Sequence, residues 1–173
     1  MCFFLPRNIK CIMKPESVKK HSSITLKNIF MHMMENGYEP SFEENHIQFG
    51  IGEDTAVVQY EEGIMSVRLF YSIDEDEYDL FLEASNMTML KTYAVKAAVL
   101  DNMTDLLFSC EFLCDDIRDF RRYLPMAVDM LKKALKIHKE EMRKLIIASG
   151  LVSTTIPAAD VSTAGIGKRK IIS

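Results

Sequence analysis

Three runs between Ile47 and Tyr71 carry the pattern that most limits how this chain can fold. In the first, Ile47, Phe49 and Ile51 alternate with His46, Gln48 and Gly50, the period of two that marks a half-buried strand. Gly52-Glu53-Asp54 leads into a second run, Thr55 to Tyr60, and Glu61-Glu62-Gly63 into a third, Ile64 to Tyr71. Connections this short join only antiparallel neighbours, so the stretch is predicted to be a three-strand meander. A meander with one apolar face needs cover, and the flanking segments must supply it.

Those segments read as helices and one further hairpin. Ser22 and Ser23 are N-cap candidates for a first helix in which Ile24, Ile29, Phe30, Met33 and Met34 fall mainly on one side, and Asn36-Gly37 stops it. The acidic run Asp74-Glu75-Asp76-Glu77 opens a second helix with Leu80, Phe81, Ala84 and Met87, its charge suiting the positive end of the helix dipole. Two more strands are expected around Thr92 to Leu100 and Thr104 to Phe112, with Asp101-Asn102 as the turn. After Asp115-Asp116, apolar residues at Ile117, Phe120, Leu124, Val128, Leu131, Leu135, Met142 and Leu145 form a helical stripe. A straight helix from Asp116 to Ala148 would be about 50 Å long. Pro125 is therefore expected to break it into a short helix and a long one starting at Met126. The order α-β-β-β-α-β-β-α predicts an α+β domain over residues 23–148 with a five-stranded antiparallel sheet. Residues 1–22 lack a pattern, with Met13 an alternative start, and residues 149–173 read as a disordered tail.

Composition narrows the function classes. With 173 residues, 48% hydrophobic and 27% charged, the chain can bury a core without staples. Cys2, Cys11, Cys110 and Cys114 follow neither a disulfide framework nor a paired zinc-ligand spacing, which predicts a reducing, cytoplasmic setting. The early apolar stretch Cys2-Phe3-Phe4-Leu5 is too short for a signal peptide or a spanning helix. A net charge of -4 and a pI near 5.6 argue against a protein that clings to phosphate backbones through overall charge.

No catalytic constellation emerges. Gly50-Ile51-Gly52 lacks the third glycine and the lysine of a phosphate loop and leads into a strand, so it reads as a hairpin turn. His21, His32, His46 and His138 are scattered, with His32 and His138 expected on helices facing solvent or partner residues. Cys110 and Cys114 would sit about 13 Å apart along an extended strand, too far to bridge, and read as buried small hydrophobes. The run from Asp74 fails as a calcium loop because Tyr78 and Asp79 occupy its fifth and sixth positions. No cofactor, metal or catalytic residue is assigned.

Binding features are better represented. The chain has twelve methionines, and Met31 and Met34 fall on the first helix beside Lys27 and Glu35, a combination suited to a partner segment. Apolar burial gives about 25 cal/mol per Å² against roughly 0 to 1 kcal/mol for an exposed ion pair, so the methionines should dominate affinity there. On the second helix Leu80, Phe81, Leu82, Met87, Met89 and Leu90 exceed what one core stripe uses, which predicts a homodimer interface. The last helix carries a basic strip of Lys132, Lys133, Lys136, Lys139, Arg143 and Lys144, partly offset by Glu140 and Glu141.

The opening helix ending in Asn36-Gly37-Tyr38, the meander, the helix through Asn86, the strands around Tyr93-Ala94-Val95-Lys96 and Leu106-Leu107-Phe108, and the closing helices through Phe120 and Leu124 form one series. In that order they resemble the YbjN-type family of candidate bacterial sensory-transduction regulators, whose fold is similar to that of class I type III secretion chaperones. The resemblance covers roughly Ser23 to Ala148 and implies a dimer-forming, chaperone-like binding module without an active site. The expected function is a non-catalytic protein-binding adaptor or regulator. A nucleic-acid-associated regulator using the basic last helix is the alternative from a second class, and an enzyme of unrecognised chemistry that from a third.

Overall fold

The computed structural model describes residues 24–150. Readings that fall on residues 1–22, on Ser22 and Ser23 as caps, on Met13 as a start and on nearly all of the 149–173 tail lie outside them. The first helix, α1 (Leu26–Glu35), is capped by Thr25, whose hydroxyl accepts from the Asn28 N–H at 3.2 Å. Ile24 and Ile29, on either side of that cap, are both buried, the arrangement of a hydrophobic staple. The helix ends with Gly37 at φ +79°, and the Tyr38 N–H returns to the Met33 carbonyl at 3.1 Å.

Six strands form one antiparallel sheet: β1 (Ser41–Phe42), β2 (Ile47–Ile51), β3 (Asp54–Glu61), β4 (Ile64–Ser72), β5 (Val95–Val99) and β6 (Asp105–Leu113), in the order β1-β2-β3-β4-β6-β5. The predicted meander is β2 to β4 and the predicted hairpin is β5 with β6. The expected count of five is corrected by β1, which pairs Phe42 with Ile47 and Ser41 with Gln48. Two residues are too few to show a period in sequence. Between β4 and β5 a single 3-10 turn at Glu75–Glu77 leads into α2 (Tyr78–Lys91), so the acidic run does open a helix.

All helices that cover the sheet lie on one face. Residues Met65, Val67, Leu69 and Tyr71 of β4 register against Ala56 and Val58 on one side and Leu106, Phe108 and Cys110 on the other, and all are buried. Phe81 and Ala84 from α2, with Phe120, Leu124, Leu131 and Ala134 from the last helix, complete this core. The opposite face, with Gln59, Ser66, Arg68 and Glu111 in adjacent strands, is covered by no helix among the described residues.

The last helix, α3 (Ile117–Ala148), is a single element of 32 residues, not two. Asp116 caps it by accepting from the Arg118 and Asp119 N–H groups, and the Arg118 side chain holds the Asp116 carboxyl down to a pKa of about 2. The break expected at Pro125 does not occur; Pro125 and Arg121, whose carbonyl the ring leaves without its helical donor, are both exposed residues, a setting in which solvent can supply the missing bond. Proline inside a helix costs about 3 kcal/mol relative to alanine. Pro125→Ala restores an N–H to that carbonyl without removing core volume. Chemical denaturation should show a gain of at least about 1 kcal/mol; a loss would mean that Pro125 holds a bend on which packing depends.

Candidate functional site

Lys27, Met31, Met34 and Glu35 recur at the i, i+4, i+7 and i+8 positions of α1, and all four are exposed. Met31 is 49% and Met34 53% accessible, while Met33, turned inward between them, is fully buried. Phe30 precedes Met34 by one helical turn and meets Phe42 of β1 edge to face at 5.8 Å; Phe42 is itself 49% accessible. The structure thus brings the four predicted residues onto one stripe and continues it with two aromatic rings outside the predicted set, Phe30 predicted only as an apolar helix position and Phe42 not at all. Phe42 was invisible as a site residue because its strand was.

The six residues expected to form one interface on α2 do not share a face. Phe81 is 2% accessible and stacks on His138, so it is a core residue and is corrected as such. Leu80 and Met87 lie on the flank with Lys91, whose ammonium reaches Glu141 of α3 at 2.8 Å. Leu82 and Met89 occupy the opposite flank by their helical positions. Leu90 stands outermost at 81% accessible, and Tyr93, just beyond the helix, is 86% accessible. Apolar surplus on both flanks of a buried stripe gave the sequence its mixed pattern.

Two polar side chains that apolar periodicity could not find are enclosed between layers. His138 is buried, contrary to the expectation that it faces solvent or a partner: its ring stacks on Phe81 at 5.8 Å and meets Phe108 edge-on at 5.2 Å. Its Nε2 lies 3.4 Å from Ser85 Oγ, and burial drops its pKa to about 4, so the ring is neutral. Glu141, one turn on, bridges Lys91 and Lys144 at 2.8 and 2.6 Å, and its bonds to Lys144 and then Lys91 hold the carboxyl below the usual range. His32 is likewise turned in, edge-on to Phe120 at 5.8 Å, with its pKa lowered first by burial. Cys110 and Cys114 are fully buried free thiols, as expected, pushed up to about 11 chiefly by burial.

On the open sheet face, Gln59, Ser66, Arg68 and Glu111 line a shallow cleft of about 240 Å³ with Glu61, Glu62 and Ile64. Arg68 Nη1 donates to Gln59 Oε1 at 2.6 Å. Glu111 accepts from Lys96 Nζ at 2.6 Å and from Ser109 at 3.1 Å, and the Lys96 contact leads in lowering its pKa. Arg68 and Gln59 engage each other, Glu111 is engaged by two side chains that do not line the cleft, and Arg68 Nε is buried without a hydrogen-bond partner. Among the described residues no histidine or cysteine lines the cleft. Among the described residues no group of three or more His, Cys, Asp or Glu side chains is placed to hold a metal.

No family model matches the chain, and no curated protein matches it. Its fold is shared with YbjN, a candidate transcription regulator from E. coli, at a TM-score of 0.58 and 8% identity over 70% of this chain and 94% of that one. An uncharacterized protein from Methanothermobacter thermautotrophicus is similar at a TM-score of 0.49 and 13% identity over 69% and 96% of the two chains. The resemblance read from the order of elements is therefore borne out as a likeness of structure.

The His138 environment sets a pH dependence. Its folded pKa of about 4 lies below the ordinary 6.5, so between these values the unfolded chain takes up a proton that the folded one refuses. Stability falls as pH drops from 6.5 toward 4, by on the order of 3 kcal/mol in full, with His32 acting in the same direction. Urea titrations should show this slope, and His138→Gln should flatten it between pH 6.5 and 5, above the range of the carboxylates. An unchanged slope would place the acid sensitivity elsewhere.

Proposed function

We propose that the chain is a non-catalytic protein-binding adaptor or regulator that takes a partner segment against the α1 stripe. The observation that carries this reading is the exposure of Met31 and Met34 in line with the Phe30 and Phe42 rings. Long unbranched thioethers adapt to varied apolar side chains, and Lys27 and Glu35 beside them offer one charge of each sign to orient a partner. The YbjN fold supports a regulator in general, since its solved representative is described as a candidate regulator and not as an enzyme. The chaperone-like reading of the fold belongs to this same proposal.

Self-association is its second part. The outer surface of α2 at Met89 and Leu90, together with Tyr93, is the apolar area we assign to a homodimer, in place of the six-residue interface that Phe81 cannot join. A reducing, cytoplasmic setting suits the buried free thiols, and no helix among the described residues is long and apolar enough to cross a membrane.

The test is comparative capture. Tagged parent chain, Met31→Ala/Met34→Ala and Lys27→Ala/Glu35→Ala, each shown to be folded, are used to retain partners from the native host, and the affinity of a retained partner is then measured. Loss of the methionines should weaken binding at least about tenfold, since each gives up apolar burial at about 25 cal/mol per Å². Loss of the charges should cost threefold or less. Normal binding by the methionine variant with loss in the charge variant would overturn the assignment.

A further inference from the structure

The solvent side of α3 carries a feature independent of the α1 stripe. Arg121, Lys132, Lys136, Lys139 and Arg143 follow one another at spacings of eleven, four, three and four residues. At about 100° per residue these positions fall within ~60° of one another around the axis, in a row about 33 Å long. All five are exposed, and among the described residues none is engaged in an ion pair. Pro125 is also exposed within the row, and two exposed carboxylates border it on the Lys133 side, Asp129 three residues before Lys132 and Glu140 next to Lys139. The unbroken course of α3 through Pro125 is what places Arg121 in line with the lysines.

We infer that this row is a docking ridge for the phosphate backbone of duplex nucleic acid, read without regard to base sequence. The chain's net charge of -4 does not oppose it, because interactions between exposed charges are screened within about 8 to 10 Å at ordinary salt and the cations of the ridge outnumber the Asp129 and Glu140 carboxylates that border it. The row is a convex helix face without apolar or aromatic anchors. An acidic protein segment would gain there only isolated exposed ion pairs, each contributing roughly 0 to 1 kcal/mol. A duplex, with one phosphate charge per about 1.7 Å of axis, gains in addition from release of its condensed counterions. Absence of aromatic rings along the row likewise disfavours single strands, which are held by stacking.

The full chain is titrated into a fluorescently labelled 20-base-pair duplex of arbitrary sequence at 50 to 200 mM salt, with anisotropy as the readout. Binding should weaken with salt at a log-log slope of about -3.6 to -4.5, the release expected for four or five phosphates. Lys132→Glu/Lys136→Glu/Lys139→Glu/Arg143→Glu, whose fold is checked by circular dichroism, should lose at least a hundredfold at 50 mM salt. The milder Lys136→Gln/Lys139→Gln should reduce the slope by about 2. A control variant in which a second basic run, Lys168-Arg169-Lys170 near the C-terminus, is changed to serine should bind as the parent does. No binding at 100 µM protein and 50 mM salt, or undiminished binding by the fourfold variant, overturns the inference. So does a poly-glutamate peptide that displaces the duplex at lower charge concentration, which would assign the ridge to an acidic protein segment.

Discussion

The strict alternation along β4, with Met65, Val67, Leu69 and Tyr71 facing one way and Ile64, Ser66, Arg68 and Phe70 the other, is the constraint from which the rest follows. Register with β3 and β6 extends that division across the sheet, so only one face is apolar enough to need helices. α2 and α3 must both cover it, and each then has a buried side and a free side. The surfaces on which binding is proposed are the free sides of these helices and of α1, which packs on α3.

The cover is held together by more than apolar contact. Where α2 and α3 meet over the sheet, His138 lies between Phe81 and Phe108, and one turn later Glu141 gathers Lys91 from α2 and Lys144 from its own helix. A neutral ring between two aromatics and a carboxylate shared by two ammonium groups fix how the helices sit as well as how strongly. Both groups satisfy themselves inside the structure, which makes them part of the scaffold. The same holds for the Cys110 and Cys114 thiols, whose burial keeps them protonated.

The meander, the second hairpin and the helix order were legible because each rests on a pattern several residues long. Three features were not. β1 is two residues and has no period; Pro125 stays within its helix on the exposed side, a matter of facing that composition does not encode; and His138 and Glu141 occupy core positions of a stripe recognised only by its apolar members. The site was legible in the same measure. The stripe of Lys27, Met31, Met34 and Glu35 depends only on helical spacing and stands together, whereas the α2 set pooled residues from three sides of one helix. Net charge is an average over the surface and does not report that α3 gathers exposed cations along one side.

Partner binding is proposed on the free side of α1, with the core left untouched. Methyl-labelled methionine spectra of the protein, recorded with and without a captured partner, address it residue by residue. Met31 and Met34 are exposed while Met33 and Met65 are fully buried, so each acts as its own control. The Met31 and Met34 methyl signals should shift or broaden on saturation while those of Met33 and Met65 stay in place; undisturbed Met31 and Met34 signals with shifts at Met89 or Met126 would exclude α1 as the contact.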